Sequence, residues 1–141
     1  MLKNSRTLRI EWGDCDPAGI VFYPRYFAMF DHSTTTLITA ACGLSKYELI
    51  QKYDFSGYPM VDTRARFMIP CRFGDDVKID STFTKLGRSS FEIEHKLFKK
   101  EELCLEGFET RVWVGRDPQD ASKIKSKPIP DDLIAKFKAG S

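Results

Sequence analysis

Apolar and polar residues change places with distinct rhythms along this chain. Over residues 7–12 they alternate, Leu8, Ile10 and Trp12 against Arg9 and Glu11, the period of a half-buried strand. Residues 13–19 are rich in Gly, Asp and Pro and read as a turn. Pro24 suits the first position of a helix, and Tyr26, Phe27, Phe30, Leu37, Ile38 and Ala41 follow at roughly helical spacing. Gly43 is placed to end that helix. Thr34, Thr35 and Thr36 are weak helix formers, so the pattern predicts a buried helix wrapped by a sheet. Ser45 with Glu48 has the spacing of a capping box and predicts a short second helix ending near Tyr53.

After a loop at 54–59 the period becomes two. Val61, Thr63, Ala65, Phe67 and Ile69 alternate with Asp62, Arg64, Arg66 and Met68. Val77, Ile79, Ser81 and Phe83 form a second set, and Phe91, Ile93, His95 and Leu97 a third. Cys104, Glu106, Phe108, Thr110, Val112 and Val114 predict a long fourth strand. Turn residues at 73–76, 86–89 and 99–102 suit antiparallel hairpins. Residues 117–127 read as a polar connector, and Pro130, Asp131 and Asp132 open a short terminal helix. The order predicts one α+β domain over 1–141, an antiparallel sheet of about five strands on one long helix.

Composition narrows the partners. The 141 residues are 42% hydrophobic and 30% charged, ordinary for a soluble globular chain. A net charge of +2 gives no case for nucleic acid, and Lys123, Lys125 and Lys127 read as a solvated run. The cysteines at 15, 42, 71 and 104 form no CxxC, so neither a metal site nor a redox pair is expected. No apolar stretch resembles a signal peptide or approaches the roughly 20 residues of a membrane span. A reduced, cytoplasmic protein without membrane contact is the expectation.

The chemistry concentrates in residues 11–24, where a strand-like segment meets a turn with two acids and then a proline-started helix. Such a turn can set a carboxylate beside a helix N-terminus, whose N–H groups and dipole favour developing negative charge. That equipment is sufficient to hydrolyse an activated acyl group. By itself Asp16 before Pro17 also fits a simple turn former. Asp14 reads as a turn or capping residue. Cys15 lies between the acids without an evident base, since His32 falls in the helix and His95 on a strand.

The run Gly13-Asp14-Cys15-Asp16-Pro17-Ala18-Gly19-Ile20-Val21-Phe22-Tyr23-Pro24, within this element order, resembles the hotdog-fold acyl-CoA thioesterases. The likeness covers nearly the whole chain and is strongest to the 4-hydroxybenzoyl-CoA branch, which carries an aspartate in the first turn. It implies Asp16 as the catalytic carboxylate, acting as nucleophile or general base. It also implies that Tyr23, at the helix start, supplies a backbone N–H to polarise the thioester carbonyl. Many acyl-CoA relatives have His where Tyr23 stands, so its absence favours aromatic acyl groups. The active unit implied is a homodimer, with two dimers forming a homotetramer.

Phe22, Tyr26 and Phe30 from the helix side, with Tyr58, Pro59 and Met60 from the loop, are the candidate walls of an aryl slot, closed across the subunit interface. Asp31 or His32 is a candidate anchor for a para-hydroxyl. Arg88, Ser89 and Ser90 lie in a predicted hairpin turn and are candidates for coenzyme A phosphates, with Arg64 and Arg66 in second rank. Coenzyme A is then part of the substrate, and no separate cofactor or metal is expected. The alternatives are a short-chain aliphatic acyl-CoA or acyl-carrier-protein thioesterase, and a non-catalytic acyl-CoA-binding hotdog protein.

Overall fold

The computed structural model describes residues 1–139. In chain order its elements are β1 (Lys3–Arg9), a 3₁₀ turn (Trp12–Asp14), α1 (Pro24–Cys42), α2 (Lys46–Lys52) and β2 (Met60–Phe67). There follow β3 (Asp76–Leu86), β4 (Ser90–Lys99), β5 (Glu102–Val112), β6 (Val114–Asp117), β7 (Asp120–Ser126) and α3 (Asp131–Lys138). Five strands form one antiparallel sheet in the order β1-β3-β4-β5-β2, with α1 packed against it. This is the hotdog arrangement that the resemblance implies.

Three expectations need correction. The first strand spans Lys3–Arg9 rather than 7–12, because pairing with β3 already begins at Lys3 opposite Thr82, and Trp12 belongs to the 3₁₀ turn. The 73–76 turn joins no hairpin. β2 pairs with β5, Phe67 opposite Leu105, so the 68–75 segment carries the chain across to the other side of the sheet. Residues 117–127 are not a plain connector: β6 and β7 form a hairpin with Arg116 opposite Ile124. β7 is almost wholly exposed, so it shows no alternation by which to recognise it.

Helix α1 ends as its sequence dictates, on Gly43 in the left-handed conformation (φ 73°) with its N–H on the Thr39 carbonyl. Its buried stripe is Tyr26, Met29, Phe30, Ser33, Thr34, Leu37, Ile38 and Cys42. The apolar ends of this stripe pack into two clusters. One, near the helix start, holds Ile10, Val21, Tyr26, Phe30, Cys71 and Leu105. The other holds Leu37, Phe55, Tyr58, Phe83, Phe91, Trp113 and Phe137. Polar groups occupy the middle of the stripe and meet their counterparts on the sheet. Thr34 donates to Glu109 (2.6 Å), Ser81 bonds His95 Nδ1 (2.7 Å), and Arg111 donates to Glu109 (2.8 Å) and Asp31 (2.7 Å). His95 Nε2 lies 3.2 Å from Glu109 Oε2 but outside hydrogen-bond geometry, so that oxygen has no strict hydrogen-bond donor.

Candidate active site at the start of the central helix

The acidic turn is closed by its own backbone. Glu11 donates its N–H to Asp14 Oδ2 (2.9 Å), and Phe22 donates to the Asp14 carbonyl (2.8 Å). Asp14 is thus the shaping residue that the sequence suggests. Asp16 exchanges backbone bonds with Ile20 and Gly19, and Gly19 sits at φ 82°, a conformation that favours glycine. Asp16 Oδ1 accepts the Ala18 N–H at 2.8 Å, the turn-forming bond expected of an Asp before Pro. Among the described residues Oδ2 has no partner, so one oxygen is anchored and the other is open. The side chain is half-buried. Cys15 is a poor nucleophile: desolvation and the Asp14 and Asp16 charges push its thiol upward, away from the reactive thiolate.

At the helix start the donors are fewer than a simple N-terminus offers. Tyr23 is already in helical conformation, Pro24 has no N–H, Arg25 donates to the Phe22 carbonyl (2.8 Å) and Tyr26 to the Tyr23 carbonyl (3.1 Å). The Tyr23 N–H alone of these finds no acceptor among the described residues. Beside it opens a cleft of about 210 Å³ lined by Ile20, Val21, Tyr23, Tyr26, Phe67, Met68, Ile69, Pro70 and Leu105. Asp16 does not line this cleft; its backbone N–H donates to the carbonyl of Ile20, which does (2.9 Å).

The other candidates fall in different places. Phe22 is exposed and packs edge-on against the Tyr23 ring at 5.6 Å. Tyr26 lines the cleft, and its hydroxyl accepts the Cys71 N–H (3.0 Å); burial raises its phenol well above the ordinary range. Phe30 is not a slot wall within this chain. It is 1% exposed and stacks on His95 at 4.9 Å, because core and slot demand the same residue type. Asp31 is held by Arg111 and His32 is exposed.

Tyr58 is buried with its hydroxyl bonded to Thr35 (2.8 Å), while Pro59 and Met60 are exposed beside it. Thr35 follows Tyr23 by about 18 Å along the helix axis, so this loop is remote from the Asp16 turn of its own chain. Arg88, Ser89 and Ser90 form the β3–β4 turn, where the Ser89 carbonyl accepts from Trp113 and the Arg88 carbonyl from Ile129. That turn lies a full strand, roughly 36 Å, from the Asp76 end of β3 next to the acidic turn. One chain places Tyr23 and Tyr26 on one cleft, carries Asp16 on the turn bonded to its Ile20, and leaves the loop and the basic turn apart. Arg64 and Arg66 stack on Phe108, their guanidinium carbons 4.0 and 5.9 Å from its ring centre. Sequence reasoning missed Phe67 and Met68, which read there as part of a strand running to Ile69, and Pro70 just beyond it; Pro70, unable to join a ladder, was the available signal.

Among the described residues no group of His, Cys, Asp and Glu is arranged to hold a metal, and no helix is long and apolar enough to cross a membrane.

The fold and the carboxylate-bearing turn at the helix start define a class. Residues 10–137 match the model of the thioesterase-like superfamily, and the chain belongs to that family as an acyl-CoA thioesterase. It is similar to the 4-hydroxybenzoyl-CoA thioesterase of Pseudomonas sp. strain CBS-3, at 28% identity over 132 residues, 89% of this chain and 91% of that one. A solved gentisyl-coenzyme A thioesterase shares 32% identity with a TM-score of 0.81, covering 96% of this chain and 100% of its own. A mutant 4-hydroxybenzoyl-CoA thioesterase complexed with 4-hydroxybenzoyl-CoA gives a TM-score of 0.88 over 98% of this chain and 100% of its own; at 24% identity it speaks for the fold.

Proposed function

We propose that this enzyme hydrolyses an aryl-CoA thioester, 4-hydroxybenzoyl-CoA foremost, to the free acid and coenzyme A. The observation that carries the reading is the open Asp16 oxygen on the same short segment as the free Tyr23 N–H. The thioester carbonyl accepts from that N–H, which stabilises the oxyanion as it forms; loss of such a donor typically costs about 10²–10³ in turnover. The Asp16 carboxylate attacks the carbonyl carbon itself or takes a proton from the attacking water. Thiolate is a good leaving group and needs little acid assistance. The reaction therefore calls for no cofactor, coenzyme A being part of the substrate.

In this reading the working unit is a dimer, and two dimers assemble into a tetramer. Tyr58, Pro59 and Met60, with Arg88, Ser89 and Ser90, serve the site of a second copy, the former closing over the acyl group and the latter meeting CoA phosphates. The exposed β2 edge supports such pairing, since Met60, Val61 and Phe67 are uncovered on a strand with an unpaired side.

The test is Asp16→Asn assayed by thiol release from 4-hydroxybenzoyl-CoA. Turnover should fall by about 10² or more with KM little changed. A folded mutant with wild-type turnover would overturn the Asp16 role. Tight CoA binding without hydrolysis of any aryl or aliphatic ester would instead favour the non-catalytic reading.

A further inference from the structure

The geometry points to Lys99 and Asp75 as positioning residues for the reaction: their ion pair fixes the 68–75 crossing, and the crossing fixes where the Asp16 turn sits against the start of α1. This rests on the Asp16 reading above. Lys99 Nζ lies 3.2 Å from Asp75 Oδ2, and the same oxygen accepts the Arg72 N–H at 2.8 Å. One carboxylate oxygen thereby closes the bend at 72–75, in which the Asp75 N–H also donates to the Arg72 carbonyl (3.0 Å). Lys99 ends β4, the middle strand, so the bend is pinned to the centre of the sheet. Both side chains are only about a quarter exposed, which limits screening of the pair by water and salt. Burial alone would raise the Asp75 carboxyl, but the Arg72 N–H and Lys99 hold it below its ordinary value.

The bend holds the acidic turn at both ends. Before the turn, Ile10 donates to the Asp75 carbonyl (2.8 Å) and accepts from the Gly74 N–H (2.9 Å). After it, the Gly19 carbonyl accepts from the Phe73 N–H (3.2 Å), and Val21 donates to the Cys71 carbonyl (2.9 Å). The Cys71 N–H donates in turn to the Tyr26 hydroxyl (3.0 Å), on the first turn of α1. The crossing is thus bonded to the segment that carries Asp16 and to the helix that follows Tyr23. Neither Lys99 nor Asp75 lines the cleft, so their effect passes through this backbone. Misplacing a catalytic group by about 1 Å can cost about 10²-fold in rate.

The experiment is a double-mutant cycle of Lys99→Met with Asp16→Asn, read by thiol release from 4-hydroxybenzoyl-CoA, with single turnovers at excess enzyme for the slow variants. Lys99→Met alone should lower kcat by about tenfold or more, with KM and urea midpoint close to wild type, and Lys99→Arg should keep the wild-type rate. In the Asp16→Asn background the same change should cost less than about twofold, since no catalytic carboxylate remains to be displaced. Asp75→Asn keeps an oxygen for the Arg72 N–H, loses the ion pair, and should repeat the fall in kcat. If Lys99→Met and Asp75→Asn keep wild-type turnover while Asp16→Asn has lost it, the positioning role falls and the hydrolase reading stands. An equal loss in both backgrounds overturns it too, as does a rise in KM alone, which would make Lys99 a coenzyme A contact. A fall in rate matched by a fall in urea midpoint in both variants, and shared by Lys99→Arg, marks a purely structural pair and also overturns it. If Asp16→Asn turns over as wild type does, both readings fall.

Discussion

Gly107 shows how far a single side chain is constrained here. It faces His95 across the β4–β5 pair, and the Phe30 ring rests on it. A Cβ at 107 would stand 2.5 Å from Phe30 Cε2, and the ring has no alternative place because it is already stacked on His95. Gly107→Ala should destabilise the fold by about 1–3 kcal/mol through overpacking, read as a lower urea midpoint at unchanged slope. The same contact explains why Phe30 was misplaced from sequence: an aromatic on the inner helix face reads alike whether it meets a ligand or a glycine. Cys15 supplies the opposite test. With its thiol driven upward by desolvation and two flanking acids, Cys15→Ser should leave turnover close to wild type in the thiol-release assay.

Elements whose signals are local were legible in the sequence. Ser45 Oγ accepts from the Glu48 N–H and Glu48 Oε1 from the Ser45 N–H, both at 3.1 Å, the reciprocal pair that the spacing foretold. Ser45→Ala should cost about 1 kcal/mol of stability, measurable by thermal or urea unfolding. The ends of α1 were legible for the same reason, since Pro24 and Gly43 act on their own turns. Pairing was not. Alternation marks a strand without naming its neighbour, so the union of β2 with β5 and the long crossing at 68–75 stayed hidden, and with them the wall formed by Phe67, Met68 and Pro70. The Asp16 turn was legible as a motif, while the number of free amides depended on which carbonyls Arg25 and Tyr26 found.

Across the whole molecule, a polar layer divides the core. Thr34 from α1 meets His95 and Glu109, which are bonded in turn by Ser81 and Arg111, so that three strands contribute and all five residues are buried; Ser33, buried on the same helix, accepts from Arg6 of β1. Arg111 ties the layer together through Glu109, Asp31 and the Tyr58 carbonyl. Arg111→Ala should cost about 3–5 kcal/mol, because Glu109 would remain buried without the guanidinium that donates to it. Burial alone would raise the Glu109 carboxyl, but His95 and Arg111 outweigh it and hold the group below its ordinary value of 4.5. A lowered carboxyl stabilises the fold above that value and loses its contribution as pH falls below it. Urea stability should therefore decline below pH 4.5, more steeply in wild type than in Glu109→Gln.

The lone donor at the mouth of α1 belongs to the main chain. Any residue but proline would carry the same hydrogen at position 23. Genetic drift can therefore recolour the rim of the cleft, altering bulk, charge or aromaticity, while the main-chain hydrogen at that position is inherited unchanged.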